Sequence, residues 1–90
     1  MSAGRVEVDA RGERCPVPVV MAARATRGLP RGAVVEVMAD DPVAAVDIPA
    51  WAWMRGHTVE VVETGDWTVY TVRVGEADDE GGGGGSDRST

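Results

Sequence analysis

The last part of the chain, residues 75–90, limits what can fold, because it holds glycine, acidic and small polar residues but no large apolar side chain. A hydrophobic core must therefore come from residues 1–74, which make at most one small domain. Hydrophobic residues are 43% of the 90 residues and charged residues 27%, which is ordinary for a globular protein. We expect one domain at residues 1–74 and a disordered, acidic, glycine-rich tail at 75–90.

The pattern of residues 1–74 predicts the order strand, helix, strand, helix, strand, strand. Period-two alternation predicts the first strand, and β-branched runs predict the others, at residues 5–9, 33–39, 57–63 and 67–74. The last two runs are joined by Thr64-Gly65-Asp66, which is typical of a hairpin turn. The order is typical of a two-layer α/β sandwich, in which a four-stranded mixed sheet carries two helices on one face.

Proline and glycine mark where the helices begin and end. The first helix is predicted to open at Cys15-Pro16-Val17-Pro18 and to stop at Gly28, since proline fits a first helical turn. Its apolar positions at helical spacing are Val17, Val20, Met21 and Ala25.

The second helix is predicted to begin at Asp41-Pro42 and to run to Arg55. We expect Pro49 to interrupt it, with a first turn through Val46 and a restart near Asp47. Trp51 and Trp53 lie two positions apart and cannot share a helix face, so at most one of them is fully in the core.

Two counts exclude whole classes of site. One cysteine and one histidine cannot make an intramolecular disulfide or a closed zinc site, so we expect no metal and no cofactor. The apolar runs are far shorter than the ~20 residues that span a bilayer, and the first residues resemble neither a signal nor a transit peptide. We therefore expect no membrane association and a cytoplasmic protein.

The charge is unevenly distributed. Of the net charge of -6, residues 75–90 carry -4, residues 1–31 carry +3 and residues 32–74 carry -5. Because an acidic tail repels phosphate, we expect no direct nucleic-acid binding. Arg24 and Arg27 lie one helical turn apart and could bind an acidic partner or tRNA, but a solvated helix face explains them equally well.

The candidate nucleophile is Cys15, which is predicted to lie at or next to a helix N-cap. A helix dipole lowers the pKa of a cysteine there, and Arg11 and Arg14 are expected to favour the thiolate further. Pro16 and Pro18 fix the backbone, so the sulfur is predicted to be held at the surface. The alternative is a buried cysteine that acts as a small hydrophobic residue.

The chain offers this thiolate few types of chemistry. His57 has no evident orienting acid for a protease-type pair, and a Cys-X-X-Cys motif is absent. Asp40 and Asp41 could form a carboxylate pair for acid/base chemistry, but Asp41, which precedes Pro42, is interpreted mainly as a helix N-cap, and so is Asp47. The remaining role is that of a carrier, which takes the terminal sulfur of a persulfide and passes it on.

The motifs resemble those of one known family. Cys15-Pro16-Val17-Pro18, followed by Asp40-Asp41-Pro42, Asp47-Ile48-Pro49 and Gly56-His57, is similar to the TusA/SirA-like sulfur carriers. The resemblance covers residues 6–74 and implies a two-layer α/β sandwich with a persulfide on Cys15. It implies a cysteine desulfurase or rhodanese-like sulfur donor and a downstream acceptor protein, in tRNA 2-thiouridine synthesis, molybdenum-cofactor assembly or sulfur oxidation.

Two positions depart from the family pattern. Ala52 stands where relatives often carry a cysteine, so a mechanism with a second thiol is excluded. Val17 replaces the acidic residue that some tRNA-thiolation members carry between the two prolines, which leaves the acceptor open.

Other functions were weighed against the carrier. A non-catalytic binding or regulatory module would use Trp51 or Trp53 as a contact surface. A ubiquitin-like thiocarboxylate carrier is disfavoured, because residues 86–90 follow the glycines of 81–85 and the element order is wrong. We expect a monomer that is a sulfurtransferase-like substrate of other enzymes, and whether it counts as an enzyme itself stays open.

Overall fold

The computed structural model describes residues 5–75. Its elements are β1 (Arg5–Asp9), α1 (Val17–Thr26), β2 (Val34–Ala39), α2 (Ala44–Met54), β3 (Thr58–Glu63) and β4 (Thr68–Arg73). The predicted order βαβαββ is therefore confirmed. The predicted tail lies outside the described residues except for Gly75, whose backbone N–H donates to Nδ1 of His57 at 3.0 Å.

The four strands form one mixed sheet in the order β1-β2-β4-β3. β1 pairs with β2 in parallel through the α1 crossover, and β4 lies antiparallel to both β2 and β3. The β3–β4 hairpin confirms the prediction that the last two strands are antiparallel. Because β1 and β2 run the same way, the loops that follow them emerge at the same edge of the sheet.

The core lies between the sheet and the two helices. Side chains of a strand alternate between its two faces, and every second residue of β2 is buried, namely Val35, Val37 and Ala39. Tyr70 and Val72 of β4 extend the same buried layer and belong to one core cluster with them. The sheet therefore buries one face against both helices, as predicted.

The buried face of α1 agrees only in part with the predicted one, since Met21 and Ala25 pack against the core cluster but Val17 and Val20 do not. The helix buries Pro18, Ala22 and Thr26, whereas Val17 and Val20 are about two-fifths exposed. The apolar residues of this short helix surround most of its circumference, so their spacing could not decide which side meets the sheet.

The predicted break of the second helix is wrong, since α2 runs continuously through Pro49. Proline removes one N–H, which would otherwise bond to the carbonyl four residues earlier, at Ala45. Ala45 is exposed, so water can satisfy that carbonyl. The helix also begins at Ala44 rather than at Pro42.

The two tryptophans of α2 separate as predicted. Trp51 packs against the core cluster, whereas the side chain of Trp53 is 81% exposed. The helix buries Ala44, Ile48 and Ala52 toward the sheet. Within residues 5–75, no helix is both long and apolar enough to cross a membrane.

Candidate functional site around Cys15

Two loops at one edge of the sheet build the site. The first, residues 10–16, follows β1 and carries Cys15, and the second, residues 40–43, follows β2 and carries two aspartates. The parallel pairing of β1 with β2 aligns Asp9 with Met38, so the two loops leave the sheet side by side. Residues far apart in the chain are thereby brought to the same place.

The two aspartates bind the backbone of the cysteine loop. The carboxylate of Asp40 accepts the Gly12 N–H at 3.0 and 3.2 Å from its two oxygens. Oδ2 of Asp41 accepts the Cys15 N–H at 2.7 Å, and its Oδ1 accepts the Val43 N–H at 3.2 Å. The interpretation of Asp41 as the N-cap of α2 is therefore wrong, because the N-cap is Val43 and no side chain within residues 5–75 caps the helix. Asp41 instead joins the cysteine loop to the turn that precedes α2.

Cys15 lies immediately before the N-cap residue of α1, Pro16, as predicted. The side chain is not fully at the surface, however. It is half-buried and packs against the core cluster. The prediction of a surface sulfur is therefore wrong in part, because the two loops fold over one side of the residue.

The protonation of Cys15 is also opposite to the expectation. Burial raises the pKa of the Cys15 thiol, and the negative charges of Asp47 and Asp41 and a hydrogen bond between the thiol and Asp47 raise it further. Burial and nearby anions both disfavour a thiolate. The direction of this shift is opposite to the one expected from the helix dipole and the nearby arginines, and it favours the protonated thiol.

Arg11 does not supply the expected positive charge to Cys15. Its guanidinium makes two hydrogen bonds to Asp9, from Nε at 2.9 Å and from Nη2 at 2.8 Å. These bonds lower the pKa of Asp9 to about 2. The same guanidinium lies over the ring of Trp67, 4.6 Å from its centroid, so its charge is taken up by an anion and an aromatic face.

Arg14 acts on the site through Asp41. The pKa of Asp41 is lowered chiefly by the backbone N–H of Cys15, next by that of Val43, and to a smaller extent by the charge of Arg14. The positive charge of Arg14 therefore stabilises the carboxylate that holds the loop.

The remaining candidate residues occupy different parts of α1. Pro16 is exposed beside Cys15, whereas Pro18 is buried in the first turn of α1. Arg24 and Arg27 are exposed at the far end of α1, about two and a half turns or more from the cysteine. The structure thus brings Cys15, Pro16 and Arg14 together but leaves Arg24 and Arg27 apart.

His57 follows the C-terminal end of α2, whereas the cysteine loop lies near the N-terminal end of that helix. The residue is 7% exposed, its Nδ1 accepts the Gly75 N–H, and its ring lies 5.3 Å from that of Trp51. Cys15 instead meets the beginning of α2 through Asp41 and Asp47. His57 is therefore buried, and it lies at the end of α2 that is away from the cysteine loop.

An open cleft of about 420 Å³ adjoins the site, between the start of α2 and the β3–β4 turn. Asp41 and Tyr70 line it, together with the further acidic residues Asp40, Glu63 and Asp66. This lining repels anions such as phosphate.

Asp47 is the site residue that the sequence reasoning undervalued. It lies in the first turn of α2, half-buried, and its negative charge helps to raise the pKa of the Cys15 thiol. The available signal was topological: loops that follow neighbouring parallel strands emerge together, so acidic residues after β2 were candidates to face a cysteine after β1.

Comparisons with known proteins agree with this fold. The family model described as "Sulfurtransferase TusA" matches residues 6–74. A protein of Archaeoglobus fulgidus, named as a candidate sulfur carrier, is 41% identical over 69 residues, which cover 76% of this chain and 94% of the relative. The crystal structure of a SirA-like protein from Desulfitobacterium hafniense superposes with a TM-score of 0.69 at 30% identity, over 79% of this chain and 99% of that one.

The fold and the cysteine loop define a small SirA-like α/β sandwich with one thiol at the edge of its sheet. The chain belongs to the TusA family of sulfur carriers and sulfurtransferases. The family predicted from the cysteine and aspartate motifs is therefore confirmed.

Proposed function

We propose that the protein carries sulfur as a persulfide on Cys15. The observation that supports this most directly is the position of that residue: within residues 5–75 it is the one cysteine, it precedes α1, and two loops fix its backbone. A fixed, partly accessible sulfur suits transfer between docked proteins. Membership of the TusA family supports the same chemistry.

The transfer needs no external oxidant. The Cys15 sulfur, once deprotonated, attacks the terminal sulfur of a persulfide on the donor protein. A new S–S bond forms on Cys15, the S–S bond of the donor breaks, and the donor cysteine leaves as a thiolate. Delivery repeats the same displacement toward an acceptor.

The partners follow from this role. We expect a cysteine desulfurase or a rhodanese-like protein as donor and a sulfur-acceptor protein downstream, in tRNA 2-thiouridine synthesis, molybdenum-cofactor assembly or other sulfur metabolism. Ala52 is fully buried in α2, so the position at which relatives often carry a second cysteine faces the core here. The cytoplasmic location, the monomeric state and the absence of direct nucleic-acid binding stay predictions.

Intact-protein mass spectrometry tests the proposal. The protein is incubated with a cysteine desulfurase and cysteine in the absence of reductant, with Cys15→Ser in parallel. We expect a gain of one sulfur atom that a thiol reductant reverses and that Cys15→Ser does not show. A folded protein that gains no sulfur from either a desulfurase or a rhodanese donor would contradict persulfide carriage.

A second candidate function is a binding module of the same fold. The observation that favours it is the outward side of α2, where Val46, Trp53 and Met54 are at least 70% exposed. Under this alternative Cys15→Ser leaves function intact and Trp53→Ala removes it. The two variants therefore separate the candidates in any assay of the cellular function.

A further inference from the structure

The end of the fold that lies away from Cys15 carries exposed arginines on segments that hold no acidic residue. Both helices begin near the cysteine loop and end on this side, and β4 ends here as well. The three segments that reach this end are residues 24–35, 48–59 and 67–75, and none of them contains aspartate or glutamate. Their arginines are all exposed and are called the basic end: Arg24, Arg27, Arg31, Arg55 and Arg73.

The described part of the chain ends between two arginines of the basic end, and Arg31 lies on one side. The carbonyl of Val74 accepts the Gly32 N–H at 2.8 Å, and the Val74 N–H donates to the Ala33 carbonyl at 2.8 Å. Because Arg31 directly precedes Gly32, the backbone of that arginine lies next to the place where the chain leaves the fold.

Arg55 lies on the other side of this exit. The Gly75 N–H donates to Nδ1 of His57 at 3.0 Å, and a side chain at position 75 would collide with the carbonyl group of Gly56. Gly56 directly follows Arg55, so these contacts hold the exit against the end of α2. The chain therefore leaves residue 75 between the segments of Arg31 and Arg55.

The next five residues, 76–80, have the sequence Glu-Ala-Asp-Asp-Glu, with four carboxylates and no cationic side chain. Five extended residues span at most about 17 Å, which is enough to reach arginines on both sides of the exit. A short tether also raises the effective concentration of a bound group to about the millimolar range. Opposite charge and short reach therefore both favour binding of this segment where it emerges.

We propose that the acidic segment 76–80 binds the basic end of its own domain. Residues 76–80 are then a bound part of the protein rather than part of the predicted disordered tail. Their carboxylates pair with the guanidinium groups that surround the exit. This binding is independent of sulfur carriage, because the basic end lies away from Cys15.

The arginines of the basic end are suited to such pairing. Within residues 5–75, Arg24, Arg27 and Arg55 make no ion pair, since the ion pairs of that range involve Arg5 and Arg11. A single exposed ion pair contributes little to stability. A guanidinium can bind a carboxylate through two parallel hydrogen bonds, and several pairs on one tethered segment act together.

The opposite edge of the fold would repel the same segment. The cleft beside the cysteine loop is lined by Asp40, Asp41, Glu63 and Asp66, and like charges at short distance repel. Strands of six residues separate the two ends, which is about 20 Å. Over that distance the sign of the surface charge changes, so the basic end is the surface that segment 76–80 fits.

A bound acidic segment changes which partners the protein attracts. An open basic end would attract nucleic-acid phosphates and acidic proteins. When segment 76–80 covers it, the acidic edge near Cys15 is the charged surface that stays open, and it attracts proteins with basic surfaces. The segment thus directs electrostatic attraction toward the edge that carries the thiol.

The first test compares NMR spectra of the full chain with those of a triple variant, Asp78→Asn, Asp79→Asn and Glu80→Gln. At an ionic strength of about 0.01 M, where the screening length is about 30 Å, we expect the Nε–H signals of the basic end to shift in the variant. The Nε–H signal of Arg11, which is bound to Asp9 at the other edge, should not move. In about 1 M salt, where the screening length falls to about 3 Å, the spectra of the two proteins should converge.

The matched control is Glu13→Gln, Glu63→Gln and Asp66→Asn, which removes three charges from exposed side chains at the other edge. It should leave the arginine signals of the basic end unchanged. Heparin is the second probe, because it is a polyanion that competes with the segment. If the segment covers the basic end for about nine-tenths of the time, its neutralisation should tighten heparin binding about tenfold, and the control should not.

Two results would overturn the proposal. Arginine signals that stay unchanged in the tail variant would mean that the basic end is open to an acidic protein or a nucleic acid. Equal tightening of heparin binding by both triple variants would mean that only the net charge matters. Neither measurement needs a sulfur donor, so both are readable whatever the mass-spectrometric loading experiment gives.

Discussion

Replacement of Ile48 by alanine tests which side of α2 faces the sheet. Ile48 is fully buried in the core cluster, and such an Ile→Ala change costs about 2–5 kcal/mol through lost transfer energy and the remaining cavity. Because the sheet and both helices enclose this residue, little collapse can fill the space, and we expect about 3 kcal/mol. A domain of about 70 residues has a free energy of unfolding of only about 4–11 kcal/mol, so the variant should lose a large part of its stability.

The matched comparison is Val46→Ala on the same helix, where the side chain is 70% exposed. We expect this change to alter stability by less than about 0.5 kcal/mol, since alanine also favours the helix. Urea unfolding followed by circular dichroism measures the free energy of unfolding of both variants. In thermal unfolding, each kcal/mol that is lost should lower the melting temperature by about 4–8 °C. Equal losses for Val46→Ala and Ile48→Ala, or a loss below about 1 kcal/mol for Ile48→Ala, would refute the observed orientation of α2.

Two further predictions concern pH. Asp41 has a lowered pKa in the folded protein, so its contribution to stability is complete above the unfolded pKa of about 3.9 and is lost as the pH falls through the folded pKa. Asp41→Asn should therefore be less stable than the wild type at pH 7 and equally stable in strong acid. Urea titrations at both pH values measure this, and an equal difference at both would contradict it. Cys15 has a raised pKa in the folded protein, so its contribution to stability is complete below the unfolded pKa of about 8.5 and is lost as the pH rises through the folded pKa. The stability of Cys15→Ser relative to the wild type should therefore increase in alkali. A constant difference between pH 7 and pH 10 would argue against a raised pKa.

Local sequence signals determined most of the fold. Alternation in residues 5–9, the β-branched runs and the glycine turn near Gly65 depend on neighbours within a few positions, and each of the four predicted strands is present within one or two residues of its predicted bounds. Cys15 was predicted next to a helix start because Pro16 and Pro18 follow it, and the position is confirmed. Such signals are local because strand and turn preferences arise from backbone sterics and side-chain periodicity.

The tertiary structure decided what local signals left open. The segment 44–54 is apolar almost all round and its proline lies at the midpoint. Only packing could therefore show that Ile48 is buried, that Val46 is exposed and that the helix is continuous through Pro49. A segment without a polar side has no preferred face of its own.

The charge state of Cys15 shows the same division. Its sequence neighbours, Arg14 and the start of a helix, favour a thiolate. The carboxylate that holds its backbone is 26 residues away in the chain, and Asp47, whose negative charge helps to raise the pKa of the thiol, is farther still. The sequence by itself determined the nucleophile and the elements around it. The parallel pairing of β1 with β2 decided which charges surround the sulfur, because electrostatic energy depends on distance in space rather than along the chain.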